Sequence, residues 1–597
     1  KVIVNSPKEG KDAWPDRKRL IKGIFNHHDA RPGSWDREHG QDMNTGGIWN
    51  SVEIHETGLL EIERVKMTPL LKDDGVWNTG HEMIVINNTG KSVEAEVKAF
   101  MEPYNFKGKG LAIKRKVCLM PGKNAVLLHF DIKQPKLWWT WDFGRPNLYS
   151  ISYTVDAEGE KDIFRDISGI REFKKGDDGC WYLNGRRFFM RGSNIIPTQW
   201  LSEYTREKIR KDAEMIKEAN LNTIRVHAHV QREEFYREMD CMGIMVWADF
   251  ALIWGYDESA ELMENAGRQI KDMVNLHYNR PSITYWCCHN EPFASEKQLD
   301  PVLYLKVREE DPVRYIDKAS DFKQHYYPGW YYDATPLALY MDMQNAKKAF
   351  IVSEYGAQAL PQVSTLKKMF KPAELFPPDM KAWAFRDFQP EQTFNQAGVS
   401  MGNSIEEFVE NSQEYQARLI TELTEMYRMS RYKYISGLLH FMMVECWPSI
   451  TWAVIDYYRN PKKGYYALKR AMQPVYASYR LVRGKKQKGE RMSWGTLWDM
   501  VYVINDTHQD IKNAKVEMKM TDADGKVYFS GRKTIKRIAP DDITWPFTPA
   551  DLTAFEKDPF VIPDSVKAGK HRLSLKVTKD GKVISENEIA YVVTERF

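Results

Sequence analysis

The sequence predicts a multidomain chain: a parallel (β/α)8 barrel flanked by antiparallel β-sandwich domains. Three observations predict it. At 597 residues the chain exceeds the length at which a single core stops growing. Short alternating apolar runs dominate both ends, whereas strand-like and helical patterns alternate through the middle, the mark of βα units. Finally, two runs inside that middle region, the almost wholly apolar Ile283–Cys288 and the apolar Ala349–Val352, each end abruptly in polar residues and a glutamate. Strands apolar on both faces belong to a covered parallel sheet.

Residues 1–58 have a strand-and-turn texture, with glycine-marked turns in Lys22–Gly33 and Asn44–Val52, and are expected to form part of a β-sandwich. In residues 59–175, runs such as Glu82–Asn87 and Ala125–Phe130 are separated by Asn-Asn-Thr-Gly and Pro-Gly-Lys turns, the spacing of an immunoglobulin-like sandwich. Residues 176–481 hold the barrel. Its strands are expected at Phe188–Arg191, Thr223–Val226, Ile244–Asp249, Ile283–Cys288, Arg314–Asp317, Phe322–Tyr327, Ala349–Val352 and Gly437–Val444. Helices are expected at Arg206–Ala219, Arg232–Met242, Ser259–Tyr278 and Gln413–Tyr427. Between Pro361 and Asn411 runs an aromatic, proline-rich insertion with little periodicity, suited to shaping a pocket beside the barrel mouth. Residues 482–597 return to alternating strands with Asp-Gly turns and read as a second sandwich; the basic stretch Arg483–Arg491 before them reads as a solvated linker.

The two glutamates carry the chemistry. Glu291 follows strand four in ITYWCCHNEP and Glu354 follows strand seven in FIVSEYG. An isolated glutamate usually caps a helix or pairs with a surface lysine. Two at strand ends of one barrel face the same mouth, where such enzymes build their sites. Paired carboxylates suffice to hydrolyse a glycosidic bond, one protonating the leaving oxygen while the other attacks the anomeric carbon, with the carboxyl groups about 5–5.5 Å apart when configuration is retained.

Bulk properties narrow the partners. A net charge of +4 and a charged fraction of 28% give no basic footprint for nucleic acid. No apolar run approaches the about 20 residues that cross a bilayer, and no signal peptide is recognisable. Six cysteines stand without metal-ligand or disulfide spacing, so free thiols and a cytoplasmic, reducing location are expected. No cofactor is expected. Aromatic residues reach 13%, a composition that suits stacking on sugar rings as well as large cores.

WCCHNEP and IVSEYG resemble the acid/base and nucleophile segments of the retaining glycoside hydrolases of family 2. FFMRGSN after Leu183-Asn184-Gly185, NTIRV at Asn222–Val226 and VWADF at Val246–Phe250 resemble the family's first three barrel strands, in its order. The resemblance implies a TIM barrel preceded by jelly-roll and immunoglobulin-like domains, with residues 1–58 a jelly-roll remnant. It implies Glu354 as nucleophile and Glu291 as acid/base, with Asn290 on the sugar 2-hydroxyl, Arg225 and Tyr327 on the nucleophile, and Trp447 as an aromatic platform beneath the sugar. Asp249, Asn194 and His227 join them near the floor of the site, and His27, His28, Asp29 and Trp35 are candidate sugar contacts from the N-terminal domain. The implied function is a retaining exo-β-glycosidase acting on an oligosaccharide or glycoside, with self-association left open. The WPSITWAVIDY segment leans to the β-mannosidase and exo-β-glucosaminidase side. His227-Ala228-His229, where β-mannosidases have Trp-Gly-Gly, and Asn-Glu-Pro in place of Asn-Glu-Asn lean away from β-mannosidases. β-Galactosidase, which in this family can use Mg and Na ions, and β-glucuronidase are the other readings within the family. A carbohydrate-binding protein without turnover is the alternative of another class.

Overall fold

The structure, a computed structural model, describes residues 2–21, 32–34, 36–44, 46–157, 159–293, 297–333, 343, 345–480, 500–546 and 569–593. The described part of residues 1–58 contains no strand, against expectation. This segment lies instead along the barrel: Lys18, buried, donates from Nζ to the Ile253 carbonyl at 2.7 Å, and its backbone bridges Tyr256. The glycine-rich spacing foretold turns, but these residues find no neighbouring strands to pair with among the described ones. The candidates His27, His28, Asp29 and Trp35 lie outside the described residues, as does Arg483–Arg491.

Seven strands follow: β1 (Leu60–Leu71), β2 (Trp77–Asn87), β3 (Val93–Pro103), β4 (Leu111–Leu119), β5 (Gly122–Ile132), β6 (Tyr149–Ala157) and β7 (Glu160–Ser168). They form two antiparallel sheets, β1-β2-β5 and β4-β3-β6-β7. Strict alternation in β2, β3 and β6 sends Met83, Val85, Val97, Ile151 and Val155 into one core between the sheets. A small antiparallel sheet, β8 (Phe173–Lys175), β9 (Trp181–Leu183) and β10 (Arg186–Phe188), plugs the base of the barrel, packing Trp181 against Tyr285 at a tilt and against Tyr315 edge-on.

The barrel sheet runs parallel through β11 (Met190–Ile195), β12 (Thr223–Val226), β13 (Met245–Asp249), β14 (Ile283–Cys287), β15 (Tyr315–Asp317), β16 (Phe350–Val352) and β17 (Ile435–His440). The order is β15-β14-β13-β12-β11-β17-β16. The first strand starts later than expected because Phe188 belongs to the plug. The sixth position holds no strand. Residues 320–326 cross the gap through single bridges, Asn290 with Ser320 and His325 with Glu354. Pro328 and Gly329 end that stretch, and its His325 side chain turns toward the two carboxylates, 2.6 Å from Glu291 and 3.3 Å from Glu354.

Around the sheet pack α1 (Arg206–Glu218), α2 (Glu233–Met242), α3 (Ala260–His277) and α4 (Leu299–Glu310). Thr205 and Ser259 cap α1 and α3 through hydroxyls that accept backbone N–H groups, and Gly243 ends α2 in the left-handed region at φ 68°. The insertion is more ordered than its composition suggested. It forms α5 (Val363–Met369), α6 (Pro372–Leu375) and α7 (Met380–Ala384) around Trp383, which stacks on Phe370 and Phe408. The long α8 (Ile405–Met429) and α9 (Lys463–Ala471) complete the barrel wall. Beyond it, β18 (Val475–Arg480), β19 (Met500–Asn505), β20 (Ile511–Thr521), β21 (Val527–Ile538), β22 (Asp542–Thr544), β23 (Gly569–Lys579) and β24 (Lys582–Val593) form antiparallel sheets of three and four strands over a common core, as the second sandwich requires. Among the described residues no helix is long and apolar enough to cross a membrane, and all six cysteines are free.

Candidate active site

Glu354 stands at the carboxyl end of β16, buried among donors. Arg225 Nη1 and His227 Nε2 each reach its Oε1 at 3.0 Å, and the Tyr327 hydroxyl donates to its Oε2 at 2.7 Å. Arg225 is the hub of the floor. Its Nε donates to both Asp249 oxygens at 3.0 and 3.2 Å, and Nη2 donates to Asn290 Oδ1 at 2.6 Å. Burial works against the charged guanidinium, but Asp249 and then Glu354 outweigh it and raise its pKa, so it stays a fixed cation. Burial, and after it the Glu354 charge, lifts the Tyr327 phenol well above its usual range, which keeps it a hydroxyl donor.

Burial, followed by the nearby Arg225 charge, lowers His227 well below the ordinary histidine range. A neutral ring facing an acceptor carboxylate must carry its proton on Nε2. His229, also pushed down by burial to about 4, donates from Nδ1 to the His227 carbonyl at 2.9 Å while Gln231 donates to its Nε2 at 2.5 Å. The His-Ala-His departure therefore places one imidazole on Glu354 and a second behind it as support.

Glu291 follows β14 with a left-handed backbone, φ 48°, held by its own N–H on the Ser320 carbonyl at 2.8 Å. Its carboxylate has two neighbours that the motif did not announce: His325 Nδ1 at 2.6 Å on Oε1 and the Trp254 indole N–H at 2.8 Å on Oε2. The other nitrogen of His325 faces Ser320 Oγ at 3.0 Å and Glu354 Oε1 at 3.3 Å, so one imidazole touches both carboxylates. One donor atom each from Glu291, His325 and Glu354 lie within 4.8 Å of one another. Among the described residues this trio is also the group of carboxylate and imidazole donors close enough together to hold a metal ion.

Asn290, fully buried, offers beside these carboxylates an Nδ2 that has no hydrogen-bond partner among the described residues. Asn194 ties three strands together, donating to the Ser353 and His440 carbonyls at 2.9 and 3.1 Å. Trp447 is 2% exposed and donates its indole N–H to Asp387 Oδ2 at 3.2 Å, beside Phe385. The aromatic surface nearest Glu354 comes from other residues: Phe441, just past β17, packs on His227 with ring centroids 5.0 Å apart, and Trp452 packs on Phe441 and Tyr327. His325, Trp254, Phe441 and Trp452 were all passed over in the sequence. His325 lies two residues before Tyr327 in the HYYPGW stretch, and that nearness is the signal the sequence offers.

A TIM barrel whose fourth and seventh strands deliver two carboxylates to one mouth defines the class: a protein of glycoside-hydrolase architecture. Residues 60–171 match glycosyl hydrolases family 2, and residues 175–378 match the TIM barrel domain of that family. The chain belongs to glycosyl hydrolase family 2, a family of retaining enzymes. Beta-mannosidase B of Aspergillus terreus is 24% identical over 631 residues, covering 94% of this chain and 72% of the relative. The Aspergillus oryzae beta-mannosidase B is 26% identical over 508 residues, where the match spans 75% of this chain and only 58% of the relative's length. Among solved structures, the beta-D-mannosidase of Dictyoglomus thermophilum superposes with a TM-score of 0.76 at 20% identity, covering 90% of this chain and 67% of that one. The exo-chitosanase CsxA of Amycolatopsis orientalis gives 0.70 at 17%, covering 90% and 64%.

Proposed function

We propose that the chain is a retaining exo-β-glycosidase that removes terminal β-linked sugars, with a mannoside as the preferred glycone. The observation that carries the catalytic reading is the approach of Glu291 and Glu354 to within 4.8 Å, atom to atom, across one mouth, close enough for both carboxylates to reach one anomeric centre. Glu354 attacks the anomeric carbon while the bond to the leaving oxygen breaks, and Glu291 delivers its proton to that oxygen. Water then gives a proton to Glu291 and attacks the glycosyl ester, which releases Glu354 as carboxylate. Arg225, His227 and Tyr327 hold Glu354 in line for attack. Asn290, whose Nδ2 has no partner among the described residues, meets the sugar 2-hydroxyl, a bond that strengthens in the transition state.

Beta-mannosidase B relatives support the mannoside preference. A panel of nitrophenyl β-mannoside, β-glucosaminide, β-galactoside and β-glucuronide tests it: the mannoside should show the highest kcat/KM. Glu354→Ala and Glu291→Ala variants with wild-type turnover would overturn the catalytic assignment.

A further inference from the structure

Glu291 takes a hydrogen bond from Trp254, and Trp254 is held in place by the segment that precedes the first sandwich. The indole N–H, carried on the loop after β13, donates to Glu291 Oε2 at 2.8 Å. Trp254 has φ 59°, in the left-handed region, where a bulky residue stays only if its surroundings fix it. Two neighbours of Glu291 supply part of that hold. The Asn290 carbonyl accepts the Trp254 N–H at 3.0 Å, and His289 Nε2 donates to the Trp254 carbonyl at 2.8 Å.

Lys18 supplies the rest. Its Nζ donates to the Ile253 carbonyl at 2.7 Å and its backbone N–H donates to the Gly255 carbonyl at 3.2 Å, so one residue grips the chain on both sides of Trp254. The Lys18 carbonyl accepts the Asp257 N–H at 2.8 Å, which closes the bridge. Lys18 is 2% exposed, and its ammonium lies over the Tyr256 ring at 4.6 Å from the centroid, while Tyr256 packs edge-on against His289. An ammonium this deep has given up its water, and carbonyl and ring contacts offset that cost only while the geometry holds. Gly255 permits the close approach, because a Cβ there would collide with the Asp16 carbonyl oxygen. The segment also arrives shaped for the contact: Glu9 Oε1 accepts the N–H groups of Arg19 and Leu20 at 3.0 and 2.8 Å.

We propose that Lys18 is a positioning residue for the acid/base group. By clamping Ile253 and Gly255 it aims the Trp254 indole at Glu291, and so ties protonation of the leaving oxygen to the N-terminal segment. Lys18 touches no reacting atom and acts through Trp254. The proposal rests on the glycosidase reading and names a residue outside the barrel on which its acid step depends.

The test compares wild type with Lys18→Met on two glycosides. Phenyl β-mannoside has a leaving group that needs the proton, and 2,4-dinitrophenyl β-mannoside has one that departs without it. On the phenyl glycoside kcat/KM should fall about tenfold, the lower end of what a hydrogen bond to a charged group is worth, and on the dinitrophenyl glycoside by less than about twofold. Equal losses on both would mark a general defect of the fold and overturn the role, as would no loss on either. A second readout needs no turnover. In protein labelled with 5-fluorotryptophan, the fluorine resonance that Trp254→Phe deletes should shift in Lys18→Met, and a resonance left in place in the folded variant would overturn the clamp. Should Lys18→Met fail to fold, Gly255→Ala, which wedges the same contact apart at Asp16, replaces it in both measurements. A wild-type chain that turns over neither these two nor any glycoside of the nitrophenyl panel sinks the glycosidase reading separately, and the resonance alone then decides the clamp.

Discussion

Replacing Arg225 by lysine tests whether the hub of the floor acts through its shape or only through its charge. The guanidinium reaches Asp249, Glu354 and Asn290 at once, with contacts between 2.6 and 3.2 Å. An ammonium is a compact point charge with three donors on a flexible stem and cannot reproduce that fork. If lysine keeps the Asp249 pairing and loses one of the two contacts to Glu354 and Asn290, the loss is one hydrogen bond to a charged partner, about 1.5–3 kcal/mol. Converted at 1.36 kcal/mol per decade, kcat/KM should fall about 10- to 150-fold. Loss of both contacts squares the factor. Steady-state kinetics on the preferred nitrophenyl glycoside, with a thermal melt to show that the variant is folded, measures the effect. A folded Arg225→Lys variant within twofold of wild type would refute the reasoning, because charge alone would then suffice.

Other predictions follow from the same contacts. Lys462→Met should destabilise the protein by about 3–5 kcal/mol by stranding a buried charge, since Lys462 Nζ and Glu445 Oε1 meet at 2.7 Å with both side chains fully buried. The double variant with Glu445→Gln should recover most of that in urea unfolding. Acid should weaken the fold between pH 7.5 and 5.5. Burial depresses His81, His277 and His440 to about 3 and His229 to about 4. Their stabilisation is present above the unfolded value near 6.5 and is lost as pH falls, about 1.4 kcal/mol each over this window. Burial also raises Glu445 to about 7 and Asp240 to about 6, and these two return about 2 and 1 kcal/mol in acid, leaving a net loss of about 3 kcal/mol. A urea midpoint that rises on acidification would contradict this. Activity should survive EDTA, because every proton and bond in the proposed steps belongs to a side chain, the sugar or water. Added Zn2+ should inhibit competitively by bridging Glu291, His325 and Glu354, and inhibition unaffected by saturating substrate would argue against binding there.

What the sequence disclosed was whatever depends on short-range pattern. Thr223–Val226 appears as a strand with the expected bounds, and Glu291 and Glu354 follow strands because a buried charge forces each apolar run to end at the mouth. What it concealed depends on contacts between distant residues. In place of the sixth strand stand single bridges at Ser320 and His325, and His325 is drawn to Glu291 and Glu354, a long-range contact that no local propensity encodes. The helices of the insertion are short and held by stacking of Trp383 on Phe370 and Phe408, so their periodicity is too brief to see. His325 and Trp254 reach Glu291 only because loops from different strands converge, and Phe441 hid inside an apolar run while the nearby Trp447 drew attention.

Trapping the glycosyl-enzyme is the most direct test of the central claim. After incubation with a 2-deoxy-2-fluoro β-glycoside bearing an activated leaving group, proteolysis and peptide mapping should place the added mass on Glu354, and the Glu354→Gln variant should take up none. A stoichiometric adduct on any other residue, or hydrolysis that proceeds with inverted configuration at the anomeric carbon, would contradict the account.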